Sequence, residues 1–232
     1  MVQINMQQRE ITLKIVFYGP ALSGKTTNLQ AIHRLMSEDA KGRLMVLDTS
    51  DDRTLFFDLM PVFFKSESGF TVKVKLFTVP GQVMHNSTRR IVLQGADGIA
   101  FIADSQIEMT KANNDSWRDM MCNLKINGID PTMIPIVIQF NKRDLPQIRP
   151  DNEIDEVAKK GREPVFKASA ISGKGVMETF EGILRLSWRS LDDLYDLEEK
   201  LRVKEEEFIK NLLRKDKIRP ISNPRLDTEG HR

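Results

Sequence analysis

The sequence is poor in the features that mark a secreted, metal-rich or membrane-spanning protein. It has one cysteine, Cys122, which cannot close an internal disulfide, so a disulfide-stapled fold is excluded and a reducing cytoplasm fits best. Cys122 itself reads as a small core residue. Histidine is almost as scarce, and His33, His85 and His231 have no metal-ligand spacing. No charge of one sign dominates: 35 basic side chains face 33 acidic ones, so no global field draws in nucleic acid or an anionic membrane. Long apolar runs are missing as well. The first, Ile11 to Tyr18, is interrupted by Lys14 and is too short to cross a bilayer. The polar stretch from Met1 to Arg9 carries no export signal, Val2 stands where myristoylation needs glycine, and Glu229 to Arg232 lack a prenylation cysteine. A cytoplasmic protein without a direct lipid anchor is expected, recruited to membrane or cell poles by partners if at all.

What is present is an alternation. From Ile11 to about Trp188, short runs rich in Val, Ile and Phe alternate with longer segments of helical period, the pattern of an α/β fold with a mostly parallel sheet. Strands are expected at Thr12–Tyr18, Leu44–Leu47, Thr71–Thr78, Gly98–Ala103, Pro135–Phe140 and Val165–Ala168. The apolar–polar alternation of Thr71–Thr78 predicts a half-exposed edge strand, whereas the run Ile136, Val137, Ile138 predicts a strand buried on both faces. Helices are expected at Gly24–Ser37, Asn113–Lys125, Asp151–Lys160 and Gly175–Ser190. One domain over residues 1–188 accounts for this. Beyond it, Leu191, Leu194, Leu201, Phe208 and Leu212 form a thin apolar stripe that predicts a helical extension over 189–218, and 219–232 read as a disordered tail. The stripe must bury its face somewhere: on a second copy, on a partner or on its own domain.

Two motifs carry chemistry. Gly19-Pro-Ala-Leu-Ser-Gly24-Lys25-Thr26 follows a hydrophobic strand and opens a helix, the context in which backbone N–H groups and a helix N-terminus cradle phosphates. Gly19, Ala21, Ser23, Gly24, Lys25, Thr26 and Thr27 are therefore candidate phosphate contacts. Lys25 would reach the outer phosphates and the Thr26 hydroxyl would coordinate magnesium. The second motif, Asn141-Lys142-Arg143-Asp144, follows a buried strand at its carboxyl end, where open α/β sheets bind ligands. The Asp144 carboxylate can accept from the ring N–H and amino group of guanine, but would face an unprotonated nitrogen in adenine. Asn141 can bridge this loop to the phosphate loop, the Lys142 stem can lie across the base, and Ser169-Ala170 could offer backbone N–H groups to the guanine oxygen.

With these motifs the chain resembles the Ras-like small GTPases, and within them the bacterial MglA-like cell-polarity GTPases. The narrower likeness rests on Asp52-Arg53-Thr54-Leu55-Phe56-Phe57-Asp58, Thr78-Val79-Pro80-Gly81-Gln82, Ala103-Asp104-Ser105-Gln106 and Asn141 to Pro146. It implies a three-layer P-loop GTPase domain that binds GTP and GDP with magnesium and hydrolyses GTP. It further implies that Gln82 orients the attacking water, Gly81 senses the γ-phosphate, Thr54 contacts magnesium or γ-phosphate, and Arg53 is an arginine finger supplied by the same chain. An Arg53 salt bridge to Asp51, Asp52 or Asp58 is the alternative. Most Ras-like proteins carry Asp where Thr78 stands, so the magnesium shell must be completed differently, and Asp48, Asp52 and Asp58 stay open as substitutes. A roadblock-fold activating partner of MglB type and an effector for the GTP state are implied too. Two other readings compete: a phosphotransferase or motor ATPase, which Asp144 argues against, and a nucleotide-binding scaffold with negligible hydrolysis acting through its carboxyl-terminal helix. Ala21, where the family usually has glycine, would crowd Gln82 or Arg53 and slow hydrolysis.

Overall fold

The computed structural model describes residues 2–47, 57–66, 68–81 and 86–213, which build one sheet with helices on both faces. The strands are β1 Gln3–Asn5, β2 Glu10–Tyr18, β3 Met45–Leu47, β4 Phe57–Lys65, β5 Thr71–Thr78, β6 Gly98–Asp104, β7 Ile136–Asn141 and β8 Val165–Lys167. They lie in the order β3-β4-β5-β2-β6-β7-β8, with β1 paired to β2. From β5 to β8 all pairs are parallel, while β3 and β4 run antiparallel. Parallel neighbours need crossovers, supplied by α2 Asn86–Leu93, α3 Thr110–Ile126 and α4 Asp151–Lys160, while α1 Lys25–Leu35 leads from β2 towards β3 and α5 Val176–Tyr195 follows β8. Because β2 has β5 on one side and β6 on the other, the strand order reverses at its carboxyl end, and the phosphate-loop motif begins there.

Two apolar clusters fill the two faces. Leu13, Ile15 and Phe17 of β2 pack with Leu29 and Ile32 of α1 and Phe180, Ile183 and Trp188 of α5. Val16, Tyr18, Phe101 and Ala103 pack on the opposite face with Val92 of α2, Met120 and Leu124 of α3 and Ile154 of α4. β6 is buried along its whole length.

The structure corrects four expectations. β5 is an interior strand, not an edge: its alternation arises because Val72, Val74 and Leu76 face the α1–α5 layer while Thr71, Lys73 and Lys75 stay half exposed on the other face. β4 and α2 were not anticipated; β4 holds Pro61, which is tolerated because β3 pairs only with Phe57–Leu59 and Pro61 lies beyond that ladder. Cys122 is exposed rather than in the core, since α3 buries Met120, Asn123 and Leu124 and turns residue 122 outward.

The fourth concerns the extension, which is not one helix. α5 runs past residue 188 to Tyr195, and left-handed residues at Asp196 (φ 52°) and Arg202 (φ 54°) break the chain into α6 Leu197–Leu201 and α7 Glu205–Leu212. The strap folds back so that Leu191, Leu201, Phe208 and Leu212 join the same core as β2 and α5; of the stripe only Leu194 is exposed. Trp188 and Phe208 stack at 4.4 Å between ring centroids, and α7 packs against both α5 and β4. Two glutamates within the strap have partners: Glu205 pairs with Arg185 (2.9 Å) and Arg189 (2.8 Å), and Glu198 accepts the Glu205 backbone N–H (2.9 Å). Residues 214–232, including the expected tail, lie outside the described residues. Among those described, no helix is long and apolar enough to cross a membrane.

Candidate nucleotide-binding site

β2 ends at Tyr18, and the loop from Gly19 turns directly into α1, whose first residue is Lys25. Leu22 (φ 60°) and Gly24 (φ 95°) are left-handed, and such alternation turns successive backbone N–H groups toward one concave side. For Leu22 this conformation costs about 1–2 kcal/mol, strain of the kind found at ligand-binding loops. The first turn of α1 has no acidic side chain to offset its positive end. Lys25 is buried, and its ammonium donates to the carbonyls of Gly19 (3.0 Å) and Pro20 (2.6 Å), which holds it over the loop. Thr26 is exposed beside it and Thr27 is half-buried.

Gly81 closes this end. A Cβ there would lie 2.4 Å from both the Cα and the N of Ala21, so the backbone after β5 rests directly on the phosphate loop and only glycine fits. Sequence placed Ala21 and Gly81 at the same phosphate; the structure puts them in contact. The other residues expected at this end, Gln82, Arg53 and Thr54, lie outside the described residues, as do Asp48, Asp51 and Asp52.

The base-side loops are joined by side-chain bonds. Asn141, the buried last residue of β7, donates through Nδ2 to Ser23 O (2.8 Å) and accepts at Oδ1 from the Ala170 N–H (2.9 Å). It crowds the phosphate loop so closely that a Cβ on Gly24 would fall 2.2 Å from its Nδ2. Behind it Gln139 donates to Asn28 (2.9 Å), and Asn28 donates to Gly24 O (2.9 Å). Asp144 is exposed at the cleft, with one carboxylate oxygen accepting the Ser169 hydroxyl at 2.5 Å.

Lys142 is held in left-handed backbone conformation (φ 64°) by an ion pair with Asp104 at 2.6 Å. Asp104 is buried; its other oxygen accepts the Gln106 N–H (3.0 Å), and its own backbone is bound on both sides by the Asn113 amide of α3.

One expectation changes in detail. The N–H groups of Ser169 and Ala170, proposed as donors to a guanine oxygen, already donate to Lys174 O (2.9 Å) and Asn141 Oδ1. The two residues brace the side chains that would read the base. Sequence reasoning missed Asp104 as a site residue, although its string had been noted. The signal was a carboxylate ending a buried strand, which proves to be paired in register with Asn141. Ile171, which follows Ala170 in the same loop, has its side chain 72% exposed.

A magnesium ion would have a compatible donor set. Thr26 offers an exposed hydroxyl at the mouth of the loop, and hard oxygens from phosphate and water complete such a shell. Among the described residues no cluster of three or more His, Cys, Asp or Glu stands ready to hold a metal.

No protein-family model matches the chain. The chain is similar to the mutual gliding-motility protein MglA of Myxococcus xanthus (strain DK1622), with 44% identity over 183 residues, covering 79% of this chain and 94% of that protein.

Proposed function

This chain belongs to the MglA-like family of Ras-like small GTPases, and from that premise we propose that it binds GTP and GDP, hydrolyses GTP slowly and serves as a nucleotide-dependent switch in cell polarity or gliding motility. The observation that carries the reading is the Asn141 side chain, which ties the base loop to the phosphate loop through Ser23 and Ala170 and so makes one cleft of two motifs.

In this cleft Asp144, oriented by Ser169, accepts from the N–H edge of guanine, while Lys142 and Ile171 flank the base plane. The turn from Gly19 to Gly24, the positive end of α1 and Lys25 take the phosphates. Thr26 and Thr54 would hold magnesium, which supplies charge neutralisation at the β- and γ-phosphates when bound. Gln82 orients the attacking water, and Arg53 stabilises the charge that develops on the transferred phosphoryl group. Loss of the γ-phosphate then releases the segments that carry them, a difference that an effector reads. A roadblock-fold activator of MglB type is the partner proposed to stimulate turnover. A scaffold acting through a free carboxyl-terminal helix is the less favoured reading, because α6 and α7 are committed to their own domain.

The test is single-turnover hydrolysis of GTP by the full chain with magnesium and no partner. Slow release of phosphate from GTP, absent with ATP, supports the proposal. Release of phosphate from ATP at the rate seen with GTP would overturn it.

A further inference from the structure

Away from the nucleotide, a polar cluster joins three elements under α2. Arg89 of α2 is 5% exposed and donates through Nε to Asp119 of α3 at 2.8 Å. The same carboxylate oxygen accepts the hydroxyl of Tyr18, a fully buried residue that ends β2 and is bonded covalently to Gly19 of the phosphate loop. Asn123 of α3, also buried, donates to Asn86 Oδ1 (2.8 Å) at the start of α2 and approaches the Tyr18 hydroxyl at 3.4 Å. Asn127 donates to Arg90 O at 2.8 Å, one residue beyond Arg89. Burial and the Asp119 carboxylate push the Tyr18 phenol upward in pKa, so it stays a proton donor throughout the physiological range.

Burying the Arg89 guanidinium against a carboxylate that is itself only half-buried is an expensive way to join two helices, since apolar residues of similar volume usually do so as well or better. What the polar cluster supplies is a defined geometry. Val92 and Leu93 pack the far end of α2 against Tyr18, Met120 and Leu124, whereas among the described residues a cavity of about 460 Å³ lies between Pro20, Ala21 and Gly81 and the Met109 and Ala112 side, with Arg89 and Asp119 on its wall. At one end of the link from β5 to α2, Gly81 rests on Ala21; at the other, α2 is bonded through Asp119 to the residue preceding Gly19. Only four residues separate Gly81 from Asn86, so the link between them spans at most roughly 18 Å.

We propose that Arg89, Asp119 and Tyr18 are positioning residues for the hydrolytic step, fixing α2 relative to the phosphate loop so that the segment bearing Gln82 is presented in register. The inference rests on the GTPase reading above and goes beyond it in naming what holds the second switch helix.

The test compares the wild-type chain with an apolar replacement of the pair, Arg89→Met with Asp119→Leu, and with the milder Tyr18→Phe. Each is assayed for thermal midpoint, GDP and GTP affinity and single-turnover hydrolysis. The apolar pair should keep the fold and bind both nucleotides within about twofold of wild type, yet hydrolyse roughly 10- to 100-fold more slowly, as expected when a catalytic segment is displaced by about an ångström. Tyr18→Phe should show a smaller loss in the same direction. A folded apolar pair that hydrolyses at the wild-type rate, or one whose slower turnover merely follows weakened nucleotide binding, would return the cluster to a structural role. If the apolar pair does not fold, an unchanged rate in Tyr18→Phe overturns the proposal. Wild-type chain that binds no guanine nucleotide would instead remove the GTPase reading, and this inference with it.

Discussion

The two ends of the cleft are built by different means. On the base side, side chains from separate strands and loops are bonded to one another: Asn141 to Ser23 and Ala170, Asp144 to Ser169, Lys142 to Asp104. At the end proposed for the γ-phosphate, Lys25 bonds the carbonyls of Gly19 and Pro20, but the contact with the segment after β5 is steric, with Gly81 lying on Ala21 and a cavity beside them. On the proposed function, a bonded base site is pre-organised and would add the same binding energy for GDP and GTP, which share the base. A site with equal affinity for two ligands shifts no conformational equilibrium between them, so the proposed switching would have to come from the other end. That end depends on close approach, where one methyl group or a small displacement of α2 matters more than one hydrogen bond.

The comparison breaks most visibly at Arg53. Arg53→Ala should leave GTP affinity intact and lower partner-stimulated turnover by about 10³-fold or more, read by single-turnover hydrolysis with the activator. Turnover unchanged by the substitution would return Arg53 to a surface ion pair.

Phe208→Ala touches neither end. Losing its stack on Trp188 should cost about 3–5 kcal/mol of stability, seen as a lower denaturant midpoint, while the folded fraction keeps its preference for guanine. A variant as stable as wild type would mean that the strap is not part of the core.

Asp144→Ala should weaken GDP and GTP equally, by about a hundredfold, since one charged acceptor of two donors is lost. Unequal losses, measured by titration of each nucleotide, would show that the base side takes part in switching. Asp104→Asn should follow the same pattern at about tenfold, because it frees Lys142 without removing a contact to the base itself.

Ala21→Gly carries the smallest expected effect, a few-fold faster hydrolysis with little change in GTP affinity. An unchanged rate with and without activator would mean that the loop absorbs the methyl group already.

Much of the candidate cleft was legible because the proposed chemistry demands particular residues close together in sequence: Gly19 to Thr26 before a helix, Asn141 to Asp144 after a strand. The hydrophobic period likewise placed six strands and four helices. What stayed hidden depends on pairings across the chain. Asp104 gains its role only when β6 lies beside β7, and Tyr18 and Arg89 gain theirs only when α3 brings Asp119 between them. β5 was misplaced because alternation reports one-sided burial and not position in the sheet. Where the stripe buries its face stayed open for a related reason: Glu205 serves as an ion-pair partner for α5, and a period of apolar residues does not show where a helix breaks at Asp196 and Arg202.

The central claim is that the bonded base side selects guanine, and displacement of a fluorescent GDP from the full chain tests it most directly. GTP and GDP should displace the probe alike and ATP should not, while Asp144→Ala should lose most of that discrimination. Displacement of the probe from the wild-type chain by ATP as readily as by GTP would contradict the account.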